Sequence, residues 1–118
     1  KYERSALSDE QIERIAKQVT HAMEVDRLYM DPNLSLRRLS SHISTHPNYV
    51  SQTLNGKLNE TFFDYVNGWR LKEAMPRLRE RDEPIPNIAY AVGFNSRSSF
   101  YNAFKKEVGQ TPTQYRSQ

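Results

Sequence analysis

The chain has 118 residues, a formal charge of +3 and no cysteine, with 36% hydrophobic and 26% charged residues and a mean hydropathy of −0.85. The missing thiols exclude disulfide scaffolds, thiolate zinc fingers, iron–sulfur clusters and cysteine catalysis, and no apolar run reaches the roughly 20 residues a bilayer-crossing helix needs. Seven Tyr, five Phe and one Trp, set in periodic apolar patterns, exclude a disordered chain and point to one small domain or two very small ones.

The first residue is Lys1 and no signal peptide follows, so the chain reads as a cytoplasmic piece of a longer polypeptide whose amino-terminal sensor is absent. Charge is unevenly placed: residues 1–31 carry five basic against seven acidic side chains, and residues 32–118 twelve against seven. A basic surplus invites a polyanion but does not identify one.

In chain order, Ser8 with Gln11 forms a capping box ahead of Ile12, Ile15, Ala16, Val19, Ala22 and Met23, which predicts an amphipathic helix from Ser8 to about Asp26 with Leu7 stapled onto Ile12. Asp31-Pro32-Asn33 is a turn, and Ser35 caps a short helix carrying Leu36, Leu39 and Ile43. A break at Ser44-Thr45-His46 precedes a helix opened by Pro47, with Tyr49, Val50 and Leu54 expected on its buried side. Thr61 and Asp64 start a long helix that places Phe62, Val66, Trp69, Ala74 and Leu78 toward a core and runs toward Glu80. Pro76 inside that pattern is expected to kink or shorten it. Arg81-Asp82-Glu83-Pro84 is a polar linker. Ile85, Ile88, Ala89 and Val92 then form a short helix stopped by Gly93. Ser96 caps a helix with Phe100, Ala103 and Phe104 inside, Gly109 closes it, and Thr111-Pro112 opens a last turn containing Tyr115.

The pattern repeats. At an offset of 50, Val50 faces Phe100, Leu54 faces Phe104, Leu58 faces Val108, Asn59 faces Gly109, Thr61 faces Thr111 and Tyr65 faces Tyr115. Before the turn the offset is 49, pairing Leu39 with Ile88 and Ile43 with Val92. A period near 50 built from short helix, turn and second helix predicts an all-α fold of about seven helices, homeodomain-like in its units: a leading helix (1–30), a first helix-turn-helix (31–59), a linker helix (60–83) and a second helix-turn-helix (84–118).

The second helix of such a unit fits a major groove about 12 Å wide when its outward residues are hydrogen-bonding and not acidic. Here they are His46, Asn48, Ser51, Gln52 and Asn55 in the first unit, and Arg97, Ser98, Tyr101, Asn102, Lys105 and Lys106 in the second, with no acid before Glu107. A linker helix from Thr61 to about Glu80 spans roughly 30 Å, close to the about 34 Å that separates successive major-groove segments, so one chain would read an asymmetric site.

The run Val92-Gly93-Phe94-Asn95-Ser96, with Phe100, Phe104-Lys105-Lys106, Gly109-Gln110-Thr111-Pro112 and Tyr115-Arg116, resembles the signature of AraC/XylS-type bacterial transcription regulators. Leu36, Leu39, Pro47-Asn48-Tyr49-Val50-Ser51, Phe62-Phe63-Asp64-Tyr65 and Arg70-Leu71 stand where that family keeps its first unit and linker helix. The resemblance covers about residues 28–117 and implies an activator-type, sequence-specific binder of double-stranded operator or promoter DNA, with RNA polymerase and an amino-terminal sensor or dimerisation part as further partners. It carries contacts over to Asn48, Ser51, Gln52, Arg97, Ser98 and Asn102, and makes His46 and Ser96 phosphate-side candidates at helix amino ends. Lys1-Tyr2 and Ser5-Ala6-Leu7-Ser8, with Ser51-Gln52-Thr53-Leu54-Asn55 and Asn59-Glu60-Thr61-Phe62-Phe63, are similar to a subgroup whose amino-terminal part is a membrane-embedded sensor. Three positions depart from the pattern: Ser44 in place of a turn glycine, His46 in place of a serine-like cap, and Pro76.

Arg97 is read as a bidentate guanine reader or a phosphate clamp, Gln52 and Asn102 as base-edge amides or simply exposed groups, Ser51 and Ser98 as sugar or phosphate contacts, and Lys105 and Lys106 as nonspecific charge. His21, His42 and His46 share no metal-ligand spacing, and Glu10/Glu13 and Asp82/Glu83 are solvated acids at a helix start and in a linker. No phosphate loop, nucleophile elbow or catalytic triad is present, so neither an enzyme, a cofactor nor a small-molecule site is expected. The alternative is a helical protein-interaction module on the same fold.

Overall fold

A computed structural model describes residues 7–80 and 82–118. The expectations resting on Lys1-Tyr2, Ser5-Ala6 and Arg81 lie outside the described residues. Among the described residues the chain forms seven α-helices and no strand: α1 (Asp9–Glu24), α2 (Leu36–His42), α3 (Pro47–Lys57), α4 (Phe62–Glu80), α5 (Ile85–Ala91), α6 (Arg97–Val108) and α7 (Pro112–Arg116). A 3-10 turn at Leu28–Met30 has no counterpart in the sequence reading. The chain divides into two compact units: the residues up to Leu28 with Leu34–Tyr65, and Tyr29–Asn33 with Val66–Gln118.

In the first unit, the α1 capping box forms as the sequence predicts: Gln11 N–H donates to Ser8 Oγ at 3.1 Å and Ser8 N–H to Gln11 Oε1 at 2.8 Å. α1 ends at Glu24, two residues short of Asp26, and buries Ile15, Ala16, Val19, Ala22 and Met23. These pack with Leu39 of α2 and Val50, Thr53 and Leu54 of α3, all fully buried. Thr53 is a polar member of this core because its hydroxyl donates to Tyr49 O one turn back, at 2.8 Å. Tyr49 itself corrects the expectation: it is 36% exposed. A side chain in the first turn leans back past the helix end, and the Tyr49 ring lies 5.9 Å from the His46 ring instead of over the packed face.

In the second unit the core is an aromatic chain. Phe94 meets Phe100 at 5.2 Å, Phe100 meets Phe104 at 5.7 Å and Phe104 meets Tyr115 at 5.5 Å, all edge to face, the arrangement that ring quadrupoles favour. Leu71, Ala74 and Leu78 of α4 and Ile88 and Ala89 of α5 complete it. Phe100 and Phe104 are fully buried as expected, whereas Phe62 and Trp69 are only half-buried. Trp69 is stacked 6.1 Å from Tyr29 with the Lys72 ammonium 4.7 Å from its ring.

Pro76 does not shorten α4, which continues to Glu80. The ring removes one backbone bond, a loss of about 3 kcal/mol in a helix interior. It is offset by burial of Leu78 just beyond it, 1% exposed, and by Arg116, whose Nε donates to Leu78 O at 3.0 Å and whose Nη1 donates to Glu83 O at 2.8 Å.

The internal repeat holds in the backbone bonds of the two turns. In the first turn Ser44 N–H donates to Ser41 O (3.1 Å) and Thr45 N–H to Ser40 O (2.9 Å); in the second Gly93 N–H donates to Tyr90 O (3.2 Å) and Phe94 N–H to Ala89 O (3.0 Å). Ser44 (φ 55°) and Gly93 (φ 112°) are both left-handed, and so are Asn59 (φ 57°) and Gly109 (φ 87°). Ser44 thus takes the glycine conformation at a cost of about 1–2 kcal/mol, against roughly 0.5–1 kcal/mol of extra unfolded-chain entropy for a glycine there. Ser44→Gly is therefore expected to raise stability by about 0.5 kcal/mol, a melting-temperature rise of about 2–4 °C; a lowered melting temperature would contradict this account of the turn.

Candidate nucleic-acid interface

His46 caps α3 through its ring: Asn48 N–H donates to His46 Nδ1 at 3.1 Å. The cap residue departs from a serine, yet the cap is made, with the ring nitrogen in the place of a hydroxyl oxygen. Ser96 caps α6 by accepting Ser99 N–H at 3.1 Å, and its own hydroxyl donates to Ser99 Oγ at 2.9 Å. Both cap side chains are committed locally, which fixes where the two helices begin.

At about 100° per residue, Asn48, Ser51, Gln52 and Asn55 share the arc of α3 opposite buried Val50, Thr53 and Leu54. Asn48 and Asn55 are exposed, Ser51 and Gln52 half-buried, and Asn55 Nδ2 donates to Ser51 Oγ at 3.5 Å. On α6, Ser98, Asn102 and Lys105 lie opposite buried Phe100, Ala103 and Phe104, with Arg97 and Tyr101 on one flank and Lys106 on the other. All are exposed except half-buried Tyr101. The Arg97 guanidinium sits 6.0 Å from the Tyr101 ring centroid, within cation–π range, so the ring restrains the arginine at the edge of the face.

The two faces correspond under the offset of 50: Asn48 with Ser98, Ser51 with Tyr101, Gln52 with Asn102, Asn55 with Lys105 and His46 with Ser96. They differ in charge. α6 carries Arg97, Lys105 and Lys106, whereas Lys57, the one cation of α3, donates to Glu13 Oε2 of α1 at 2.6 Å. That hydrogen bond and the Lys57 charge hold the exposed Glu13 carboxyl below its ordinary range. Sequence reasoning missed Tyr49, exposed beside His46, and its offset partner Ser99. The repeat itself was the available signal, since Tyr49 corresponds to an exposed α6 position and not to a core one.

Among the described residues no group of acids and histidines could hold a metal ion, and no helix is long and apolar enough to cross a membrane.

The helix-turn-helix domain family matches residues 39–118. An uncharacterized HTH-type transcriptional regulator of Staphylococcus aureus is 30% identical over 112 residues, covering 95% of this chain and 14% of that protein. The melibiose operon regulatory protein of Escherichia coli K12 is 31% identical over 86 residues, covering 73% of this chain and 28% of that protein. The chain therefore spans well under a third of the curated relatives it matches. The C-terminal domain of AraT, a response regulator from Geobacillus stearothermophilus, has a TM-score of 0.77 at 26% identity and covers 95% of this chain and 87% of that one. With its internal repeat of two helix-turn-helix units and these relatives, the chain belongs to the AraC-type helix-turn-helix family of DNA-binding transcription regulators.

Proposed function

We propose that this chain binds double-stranded DNA sequence-specifically, with α3 and α6 each reading a major-groove segment of one asymmetric site. The observation that carries the reading is the pair of polar, acid-free faces at matched positions of the repeat. Gln52, Asn48 and Asn102 supply amides that pair with adenine edges, and Arg97 supplies the fork that pairs with guanine. Ser51, Ser98 and Tyr101 supply hydroxyls for sugar, phosphate or base, Lys105 and Lys106 supply sequence-independent attraction to phosphates, and His46 and Ser96 mark the phosphate-side ends. The same reading makes the chain non-enzymatic, cytoplasmic and part of a larger regulator, with the sensor or dimerisation part and RNA polymerase as its further partners.

Arg97→Ala is expected to cost about 1–3 kcal/mol at one base-pair position and to relax preference there, whereas Lys106→Ala weakens all sequences alike. Affinities across a panel of single-base variants measure both. A uniform loss from Arg97→Ala would reduce Arg97 to a phosphate contact. Sequence preference that survives Arg97→Ala and Gln52→Ala together would contradict the assigned faces. A protein-interaction role has one observation in its favour, the 70% exposed Phe63 at the start of α4, and that role coexists with DNA binding.

A further inference from the structure

The chain contains two Asn-Gly dipeptides, Asn55-Gly56 and Asn67-Gly68, and the structure places them in opposite settings. In such a pair the glycine backbone nitrogen, with no Cβ beside it, can attack the asparagine Cγ. The attack requires the asparagine to leave helical backbone angles, so a helix protects the pair for as long as its turn stays closed.

Asn55 and Gly56 stand in the last turn of α3, just past Leu54, the last buried side chain of that helix, and both are exposed. Asparagine and glycine are weak helix formers, and a Cβ at Gly56 would meet nothing within 4 Å, so neither propensity nor packing at these two positions holds the turn shut. What holds it is a pair of bonds from Leu58 and Glu60 N–H to Leu54 O, at 3.2 and 3.1 Å, and the exposed ion pair of Lys57 with Glu13. Helix-end bonds and exposed ion pairs open at low cost. Asn67 and Gly68 instead lie inside the nineteen-residue α4 between buried Val66 and Arg70, and Asn67 Oδ1 accepts from Arg70 Nη1 at 3.4 Å. Opening that segment disrupts packed side chains, which makes the second pair a protected control within the same molecule.

We propose that Asn55-Gly56 is a self-modification site whose conversion to aspartate and isoaspartate puts a negative charge on the α3 reading face and weakens its hold on DNA. Gly56 N bonds to Asn55 Cγ as the Cγ–Nδ2 bond breaks, and the Gly56 N–H proton leaves with Nδ2 as ammonia. Water then opens the cyclic imide to a carboxylate. Asn55 shares its arc of α3 with Asn48, Ser51 and Gln52, and at the offset of 50 it corresponds to Lys105, so the new anion stands where the other reading helix carries a cation. The one α3 cation, Lys57, is already held by Glu13. The modification rests on the structure alone, whereas its effect on DNA rests on the DNA-binding reading.

The test ages the purified 118-residue chain at mildly alkaline pH. Peptide mass mapping follows each amide, and low-salt affinity is measured for duplexes enriched on fresh protein and for a pool of random ones. Asn55 is expected to convert at least about tenfold faster than Asn67, with affinity falling in step with the converted fraction. Fresh Asn55→Asp should bind at least about tenfold more weakly than the parent. Gly56→Ala, which adds a methyl group in open space, should keep the fresh affinity of the parent and preserve both the Asn55 amide and DNA binding through ageing. An Asn55 amide that outlasts or merely matches that of Asn67 would overturn the modification site. Full affinity in converted protein and in Asn55→Asp would overturn the effect on the reading face. Absence of sequence preference in the fresh parent would defeat the DNA-reading function alone, because mass mapping needs no DNA and the random pool still reports the added charge.

Discussion

Gly93→Ala is expected to destabilise the protein by at least about 3 kcal/mol and to lower its melting temperature by about 10 °C or more. Gly93 holds φ 112°, where side chains are rarely tolerated, and a Cβ there would stand 2.2 Å from Tyr29 O, 2.8 Å from Arg70 Nε and 3.2 Å from Met30 Cα. Two of these neighbours are backbone, so rotation of a flexible side chain cannot relieve the overlap. Gly68 provides the contrast: it is helical, with nothing within 4 Å of the Cβ it would gain, so Gly68→Ala should stabilise by roughly 0.5–1 kcal/mol through helix propensity. Thermal melts of both variants check the claim, and a Gly93→Ala protein melting within a few degrees of the parent would remove the close approach from this account.

The second large effect is expected at Arg70. Only 9% exposed, it lays its guanidinium 5.6 Å from the Phe94 ring centroid. Its Nε donates to Tyr29 O at 2.7 Å, its Nη2 to Asp31 O at 3.0 Å and its Nη1 to Asn67 Oδ1 at 3.4 Å. Burial lowers its pKa from the ordinary arginine value, opposed by the nearby Asp31 charge. Arg70→Met keeps the apolar stem but removes charge-assisted bonds to the Tyr29 and Asp31 carbonyls, a loss of about 2–4 kcal/mol by denaturant unfolding. Arg70→Lys should recover less than half of this, because one ammonium cannot reproduce the fork. Since Gly93 and Arg70 meet the same Tyr29 carbonyl, the double variant should lose clearly less than the two single losses combined. Full additivity would mean that the two residues act on separate structures.

Much of this fold is written in local sequence. Ser8 and Gln11 are three apart and satisfy each other, Ser35, Ser96 and Thr111 each cap the helix that follows, and Asn59 and Gly109 are both left-handed at the offset where the sequence pairs them. Such features depend on neighbours within one turn, which hydrophobic period and cap residues encode directly. The 3-10 turn at Leu28–Met30 and the role of Arg70 were not legible for the opposite reason: the partners are 39 and 41 residues apart, and no local pattern records a backbone carbonyl waiting for a distant guanidinium. Tyr49 was misplaced because helical period assigns a face, whereas its position in the first turn lets the ring lean off the end of that face. The candidate reading faces were legible as what remains after packing positions are removed.

The most direct test of the central claim is enrichment of random duplexes of about 20 base pairs on the purified chain, followed by the affinity of the enriched sequence across a salt series. Two-unit reading predicts an asymmetric motif of two boxes with centres about one duplex turn apart, and a salt slope corresponding to roughly 6–10 phosphate contacts. A motif with a single box, or no enrichment together with weak binding that vanishes as salt rises, would contradict it.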